Sequence, residues 1–313
     1  MKMYARGDHV GPYRIVRPLR EIPGGMCAVY LARSRADADG PRLVALKVST
    51  PDGPGADLLK CEAEHLRQLA DQHIVGLLPI HKARTSRGQP IYIAKVEPNR
   101  PRSPWYIVTE YMRGGSLAQL LARRGRLGWT EAAEIAWQVS VGLSRIHARQ
   151  LAHLDIKPDN LLFRTPLSRW LSRAPQVVIA DFGIARPIGR PQAGTLYGSP
   201  PYVAPERAAG APPQPYNDVF SVGVLLYEMI AGRLPFAGPP PPDAPLEEWC
   251  DSRQLTRAAP PELERVVLRA LAPNPRQRYQ SARQLRRALE ALPLAERPAR
   301  MRTALFKPGL NAR

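Results

Sequence analysis

Hydrophobic and polar positions change rhythm once along the chain. Over residues 13–50 the apolar residues fall in short runs, "YRIVRPL", "CAVYLAR" and "RLVALKVS", parted by the turn "EIPGG" and bounded by Gly-Pro and Pro. Runs of this kind, rich in Val, Ile and Tyr, predict strands. Residues 57–70 have leucines at 58, 59, 66 and 69, which predicts a helix. "IVGLLPIH" and "WYIVTEYM" predict two further strands, and the Pro- and Arg-bearing segment 84–104 between them an extended surface hairpin. After "RGGSL" the spacing turns helical. Thr130 is the expected cap of a helix with Ile135, Val139, Leu143 and Ile146 on one face. Further helices are expected over 217–232, over 262–272 with Leu263, Val266 and Leu271, and from Ser281 with Leu285, Ala288 and Leu292. The division is therefore an N-terminal extension (1–12), a strand-rich part (13–112), a helical part (113–292) and a tail (293–313) with four Arg and one Lys but no apolar period.

The chain has 313 residues, 44% hydrophobic and 23% charged, which fits a globular protein and excludes global disorder. Lys and Arg number 45 against 27 Asp and Glu, a formal net charge of +18. That balance suits anionic ligands and acidic partners. The Arg residues are scattered and no nucleic-acid recognition motif is present, so binding to nucleic acid is expected only as a nonspecific, salt-sensitive property. Three cysteines without CxxC spacing argue against a disulfide framework. "MKMYARGDHV" lacks a secretory apolar region, and "VFSVGVLLYEMIAG" (219–232) is shorter than the ~18 apolar residues of a membrane span and contains Glu228. No span and a cytoplasmic location are the expectation.

Chemistry concentrates in "HLDIKPDN" (153–160). A carboxylate at Asp155 can accept a hydroxyl proton, Lys157 can neutralise an anion, and Asn160 offers a carbonyl oxygen to a hard metal. In "VVIADFGIA", Asp181 ends an apolar strand and Gly183 frees the backbone to turn. "VALK" puts Lys47 on a strand. Together they suggest a triphosphate held by lysine, metal and carboxylates while a second group attacks its terminal phosphate.

"VALK", "HLDIKPDN", "DFG" and "APE", in this order, make the chain resemble the eukaryotic-type serine/threonine protein kinases also found in bacteria, over about residues 13–292. The resemblance implies an α+β, bilobal protein-kinase fold, with an antiparallel sheet plus one helix and then a mostly helical lobe. It implies ATP and Mg2+, and a protein substrate with a Ser or Thr acceptor. By position, Lys47 contacts the α/β-phosphates and pairs with Glu62, Glu64 being the alternative. Asp155 orients the acceptor hydroxyl, Lys157 stabilises the transferred phosphoryl group, and Asn160 and Asp181 hold Mg2+. Val29, Ala45 and Leu162 sandwich the adenine, Thr109 is the gatekeeper, and main-chain groups of Glu110 and Met112 read the adenine edge. Glu206 pairs with Arg278, and Asp218 braces the catalytic loop.

The departures from the family pattern are specific. In "EIPGGMCAVY" only Gly24 and Gly25 remain of a phosphate-cradling glycine loop, and Cys27 stands at the third glycine. Cys27 is either a reactive thiol or a small residue tolerated there. Leu154 replaces the Arg that in the family commonly pairs with a phosphorylated activation-loop residue, so activity independent of that phosphate is expected. Ser199 stands where a threonine contacts the catalytic Asp and Lys, and Thr195 is the expected autophosphorylation site. The basic insertions 84–104 and 164–176 are candidate docking surfaces for an acidic partner. The rival readings are a pseudokinase scaffold that binds nucleotide weakly, and a small-molecule phosphotransferase, against which the peptide-platform segment "GSPPYVAPE" argues.

Overall fold

The computed structural model describes residues 4–21, 26–34, 42–51, 54–166, 175–190, 198–236, 250 and 253–292. Gly24, Gly25, Thr195, the middle of the 164–176 insertion and the 293–313 tail lie outside them. The chain divides into two compact units, residues 1–71 with 75–112, and residues 72–74 with 113–313. The first is an antiparallel sheet with a helix and the second is mostly helical, the α+β protein-kinase fold.

In the first unit β1 (His9–Val10), β2 (Tyr13–Glu21), β3 (Cys27–Ser34) and β4 (Leu43–Ser49) pair in sequence order. Then β7 (Trp105–Glu110) pairs with β4, and β5 (Leu77–Leu78) and β6 (Ile93–Lys95) both pair with β7. Side chains alternate across this sheet. Tyr30, Val44, Leu46, Val48, Tyr106 and Val108 face a core that also takes in Val10, Tyr13 and Ile15. On the opposite face, the register sets Lys47 against Val29 and Ile107, and Ala45 against Leu31 and Thr109. That face receives α1 (Gly55–Arg67), whose Leu59 and Ala63 join Cys27 and Ile107 in a second cluster.

Two expectations change here. The run "IVGLLPIH" forms only the two-residue β5, because Pro79 has no N–H to extend the ladder and Ile74 bridges in parallel to Ile179 within the second unit. Segment 84–104 is more than a surface hairpin. Ile91, Ala94 and Val96 pack on the sheet's apolar face, while Arg84, Arg87, Arg100 and Arg102 stay exposed. The N-terminal residues do the same work: Tyr4 stacks edge-on against Tyr30, 5.8 Å between centroids, and its N–H donates to the Tyr30 hydroxyl.

The second unit is built on α3 (Trp129–Ala148) and α5 (Pro215–Ala231), with α2 (Leu117–Arg124), α4 (Pro205–Ala208), α6 (Arg253–Ala258), α7 (Pro261–Leu271) and α8 (Ala282–Glu290) around them. Thr130 is not the cap of α3. The helix starts at Trp129 after Gly128, and Glu131 accepts the Gly128 N–H at 3.2 Å while holding Arg124. A long acidic side chain at N3 serves an orphan N–H that the Thr130 hydroxyl, already inside the first turn, is not placed to serve. Ser281 does cap α8, accepting from Gln284 N. α5 is buried nearly all round, as its apolar composition requires, and ends at Gly232 with φ 73°. No helix among the described residues is long and apolar enough to cross a membrane.

Between the helices, β8 (Leu151–Ala152) pairs with β11 (Arg186–Pro187), and β9 (Leu161–Phe163) with β10 (Val177–Ile179). These short ladders frame residues 153–160. Arg278 ties α4 to the region between α7 and α8. Its guanidinium, fully buried, meets Glu206 in a bidentate pair at 2.7 and 2.9 Å, donates to Ala272 O and Pro273 O, and lies 4.8 Å from the Phe220 ring centre. Removing one partner of a buried, hydrogen-bonded ion pair strands the other. Arg278→Ala is therefore expected to destabilise the protein by about 3–5 kcal/mol, read from the urea midpoint.

Candidate functional site

In the second unit a strand, a turn and a 3-10 helix place three polar side chains together. β8 delivers the chain to His153, the backbone turns at Leu154 with φ 66°, and the 3-10 helix Pro158–Asn160 brings Asn160 back under Asp155. Asp155 Oδ1 accepts from Lys157 Nζ at 3.0 Å and from the Ser199 hydroxyl at 3.1 Å. Its Oδ2 accepts from Asn160 Nδ2 at 2.7 Å and from Lys157 Nζ at 2.8 Å. Lys157 also donates to Ser199 Oγ at 2.6 Å. Both carboxylate oxygens are thus held by donors, and Asp155 is only 9% exposed.

The loop is held from beneath by Asp218, fully buried near the start of α5. Its Oδ2 accepts the His153 N–H at 2.9 Å and His147 Nε2 at 2.8 Å, and its Oδ1 accepts the Leu154 N–H at 2.8 Å. Burial alone raises the Asp218 carboxyl, but the His147 hydrogen bond and charge, His153 and the Leu154 N–H outweigh it and hold the group below its ordinary 3.8. A depressed carboxylate stabilises the fold above the ordinary value, and the contribution is lost as pH falls through the folded value. A left-handed Leu costs about 1–2 kcal/mol, which these charge-assisted bonds together exceed.

His153 ties the loop to the next strand. Burial lowers its imidazole, so the ring is neutral: Nε2–H donates to Ala180 O at 3.2 Å and Nδ1 accepts the Asp155 N–H at 3.3 Å. Phe182 stacks edge-on against it at 4.8 Å. Ala180 N donates to Asn160 O at 2.9 Å, and the next residue, Asp181, is in the left-handed region at φ 67°.

A protein kinase domain model matches residues 23–289. The chain belongs to the serine/threonine protein kinase family. It is 31% identical over 291 residues to the kinase PknA of Corynebacterium glutamicum, covering 90% of this chain and 56% of that one. It is 34% identical over 211 residues to PknA of Mycobacterium tuberculosis, covering 62% and 44%. The chain thus spans about half the length of these relatives.

In the first unit, Lys47 on β4 and Glu62 on α1 form an ion pair at 2.6 Å, with side chains 11% and 4% exposed. Glu64 is exposed on the other side of the helix. Val29, Ala45 and Thr109 share the Lys47 face of the sheet. Met112 is buried, and the Glu110 N–H is already donated to Gly76 O at 3.0 Å, so it is not on offer to a ligand. Leu162 lies on β9 of the second unit, half-buried.

A hard cation fits the residues present. Asn160 gives its Nδ2 to Asp155, which aims the amide, and Asp181 directly follows Ala180, whose N–H donates to Asn160 O. One amide oxygen and one carboxylate match Mg2+, which is held by few protein groups and completes its shell with water and phosphate oxygens. His147 and His153 were not legible as functional from sequence. The signal was a pair of histidines preceding "LDIK", one at the end of an apolar helix and one directly before Leu154, which reads equally as core.

Asp218→Asn turns an amide donor toward backbone N–H donors that need an acceptor. We expect a loss of about 2 kcal/mol in urea unfolding and faster hydrogen exchange at the amides of residues 153 and 154.

Proposed function

We propose that the chain is a Mg-ATP-dependent protein kinase that transfers the γ-phosphoryl group to Ser or Thr hydroxyls without needing activation-loop phosphate. The observation that carries this reading is the closed set of bonds among Asp155, Lys157, Asn160 and Ser199. Asp155, oriented by its neighbours, accepts the hydrogen bond of an acceptor hydroxyl and takes its proton as the new P–O bond forms and the bond from the γ-phosphorus to the bridging oxygen of ADP breaks. Lys157 neutralises charge on the phosphoryl group in flight. Lys47, held by Glu62, meets the α/β-phosphates, with Gly24 and Gly25 as the remaining loop glycines. Val29, Ala45, Leu162, Thr109 and main-chain groups of Glu110 and Met112 receive the adenine. Asn160 and Asp181 bind Mg2+, which neutralises phosphate charge when bound. At position 154, Leu has no charge to offer a phosphorylated loop. The turn is instead fixed by Asp218, which is present whatever the modification state.

Asp155→Asn is expected to cut transfer from labelled ATP by about a hundredfold or more while nucleotide affinity stays near wild type. Asp181→Asn is expected to lose both. Equal loss of both in Asp155→Asn contradicts the division of roles, and an inactive wild type that still binds nucleotide favours the scaffold.

A pocket of about 370 Å3 in the second unit suggests the acceptor's character. Ala118, Leu121 and Ala122 form an apolar wall, and Asp159, Tyr202 and Glu228 the polar end. Burial pushes the Glu228 carboxyl up, the Tyr202 hydroxyl at 2.7 Å pulls it part of the way back, and Asp159 adds to the rise. A Lys or Arg side chain suits both parts: its stem lies on the wall and its head relieves two carboxylates. Glu228→Gln is expected to lower kcat/KM about tenfold for an Arg-bearing acceptor peptide but not for its citrulline twin. Equal loss on both peptides would remove the pocket from substrate selection.

A further inference from the structure

The cysteine in place of a loop glycine has a structural partner. Cys27 opens β3 directly after the glycine-poor loop, and its side chain is buried against Leu59 and Ala63 of α1 and Ile107 of β7. Its Sγ lies 3.8 Å from Gly55 O at the first turn of that helix. One residue earlier, Met26 O accepts the Thr50 N–H at 3.0 Å and abuts Gly55 so closely that a Cβ there would sit 2.1 Å from the Met26 oxygen. Backbone therefore meets backbone at the start of α1, and only glycine permits it. Leu59 and Ala63, the Cys27 contacts, stand three residues before and one after Glu62, on the same buried face of the helix.

We propose that Cys27 and Gly55 are positioning residues that clamp α1 to the base of the nucleotide loop and so hold Glu62 on Lys47. The side chain that the family pattern lacks at this place fills the space between β3 and α1. The Lys47–Glu62 pair is then set by packing inside the first unit. This inference rests on the kinase reading and deepens its phosphate-independent part. It supplies from packing the constraint that an Arg–phosphate contact at position 154 would supply elsewhere. The reactive-thiol reading of Cys27 does not fit a sulfur that is buried and engaged, with its residue 4% exposed.

The test compares wild type, Cys27→Gly, Cys27→Ala and Gly55→Ala in the full chain. Hydrogen exchange is monitored over 57–67, with 219–231 in α5 as internal reference, and kcat and KM for Mg-ATP are measured. In Cys27→Gly the α1 amides are expected to exchange about tenfold faster while α5 is unchanged. kcat is expected to fall about tenfold with KM moving much less, because the pair matters most when charge develops on the phosphates. Cys27→Ala, which keeps the Cβ contact, recovers part of both effects, and Gly55→Ala reproduces them. Unchanged α1 exchange in Cys27→Gly overturns the clamp. So does acceleration in equal proportion over α1 and α5, which marks a merely structural residue. Exchange is read without turnover, so an inactive or phosphate-dependent wild type would sink the functional reading and leave the clamp decided on its own evidence.

Discussion

A leucine turned into the left-handed region at the head of the 153–160 loop stays there because one buried carboxylate accepts its own N–H and that of the residue before it. Asp218 receives His153 N–H and Leu154 N–H, and is itself steadied by His147 from α3. Residues 155–160 inherit this geometry. With the turn fixed, Asp155 lies above the 3-10 helix that returns Asn160 to its carboxylate, and His153 reaches Ala180, between the end of β10 and Asp181. Every contact in this chain is made by an unmodified side chain or by backbone. The electrostatics agree, since Asp218 stays ionised at all but acid pH and His153 stays neutral.

The first unit obeys a different logic, that of a sheet with two unlike faces. Alternation along β3, β4 and β7 sends Tyr30, Leu46, Tyr106 and Val108 into one core and leaves Val29, Ala45, Lys47 and Thr109 on the other side. Covering the apolar face falls to segments that look dispensable, residues 80–96 and the N-terminal residues around Tyr4. Covering the other face falls to α1, which brings Glu62 to Lys47 as it buries Leu59 and Ala63. The ion pair is thus a by-product of hydrophobic packing as much as of charge attraction, because α1 cannot present Glu62 without burying its apolar neighbours.

Much of this architecture was legible in the amino-acid pattern alone. Helices with long apolar periods, α3, α5, α7 and α8, fell within a few residues of their expected limits, since 3.6-residue spacing survives tertiary context. The Glu206–Arg278 pair and the Asp218 brace are where the family resemblance implied them. The features that stayed hidden depend on contacts between distant segments. The strand at "IVGLLPIH" shrank because Ile74 pairs with Ile179, about a hundred residues away. The covering role of 84–104 was hidden because Ile91, Ala94 and Val96 are too few to form a pattern among Arg and Pro. The buried state of Cys27 depends on where α1 begins, which Gly55 and Met26 decide by a backbone approach that no local propensity records.

The proposed independence from phosphate requires that the 153–160 loop be assembled by the fold itself. The sharpest check is the time course of phosphoryl transfer to a Ser/Thr peptide by protein freed of all phosphate, its mass verified before mixing with Mg-ATP. A loop already in place gives a rate that is linear from the first time point and independent of prior incubation with ATP. A lag that shortens as enzyme concentration rises, ending when phosphate appears on the chain, would contradict it.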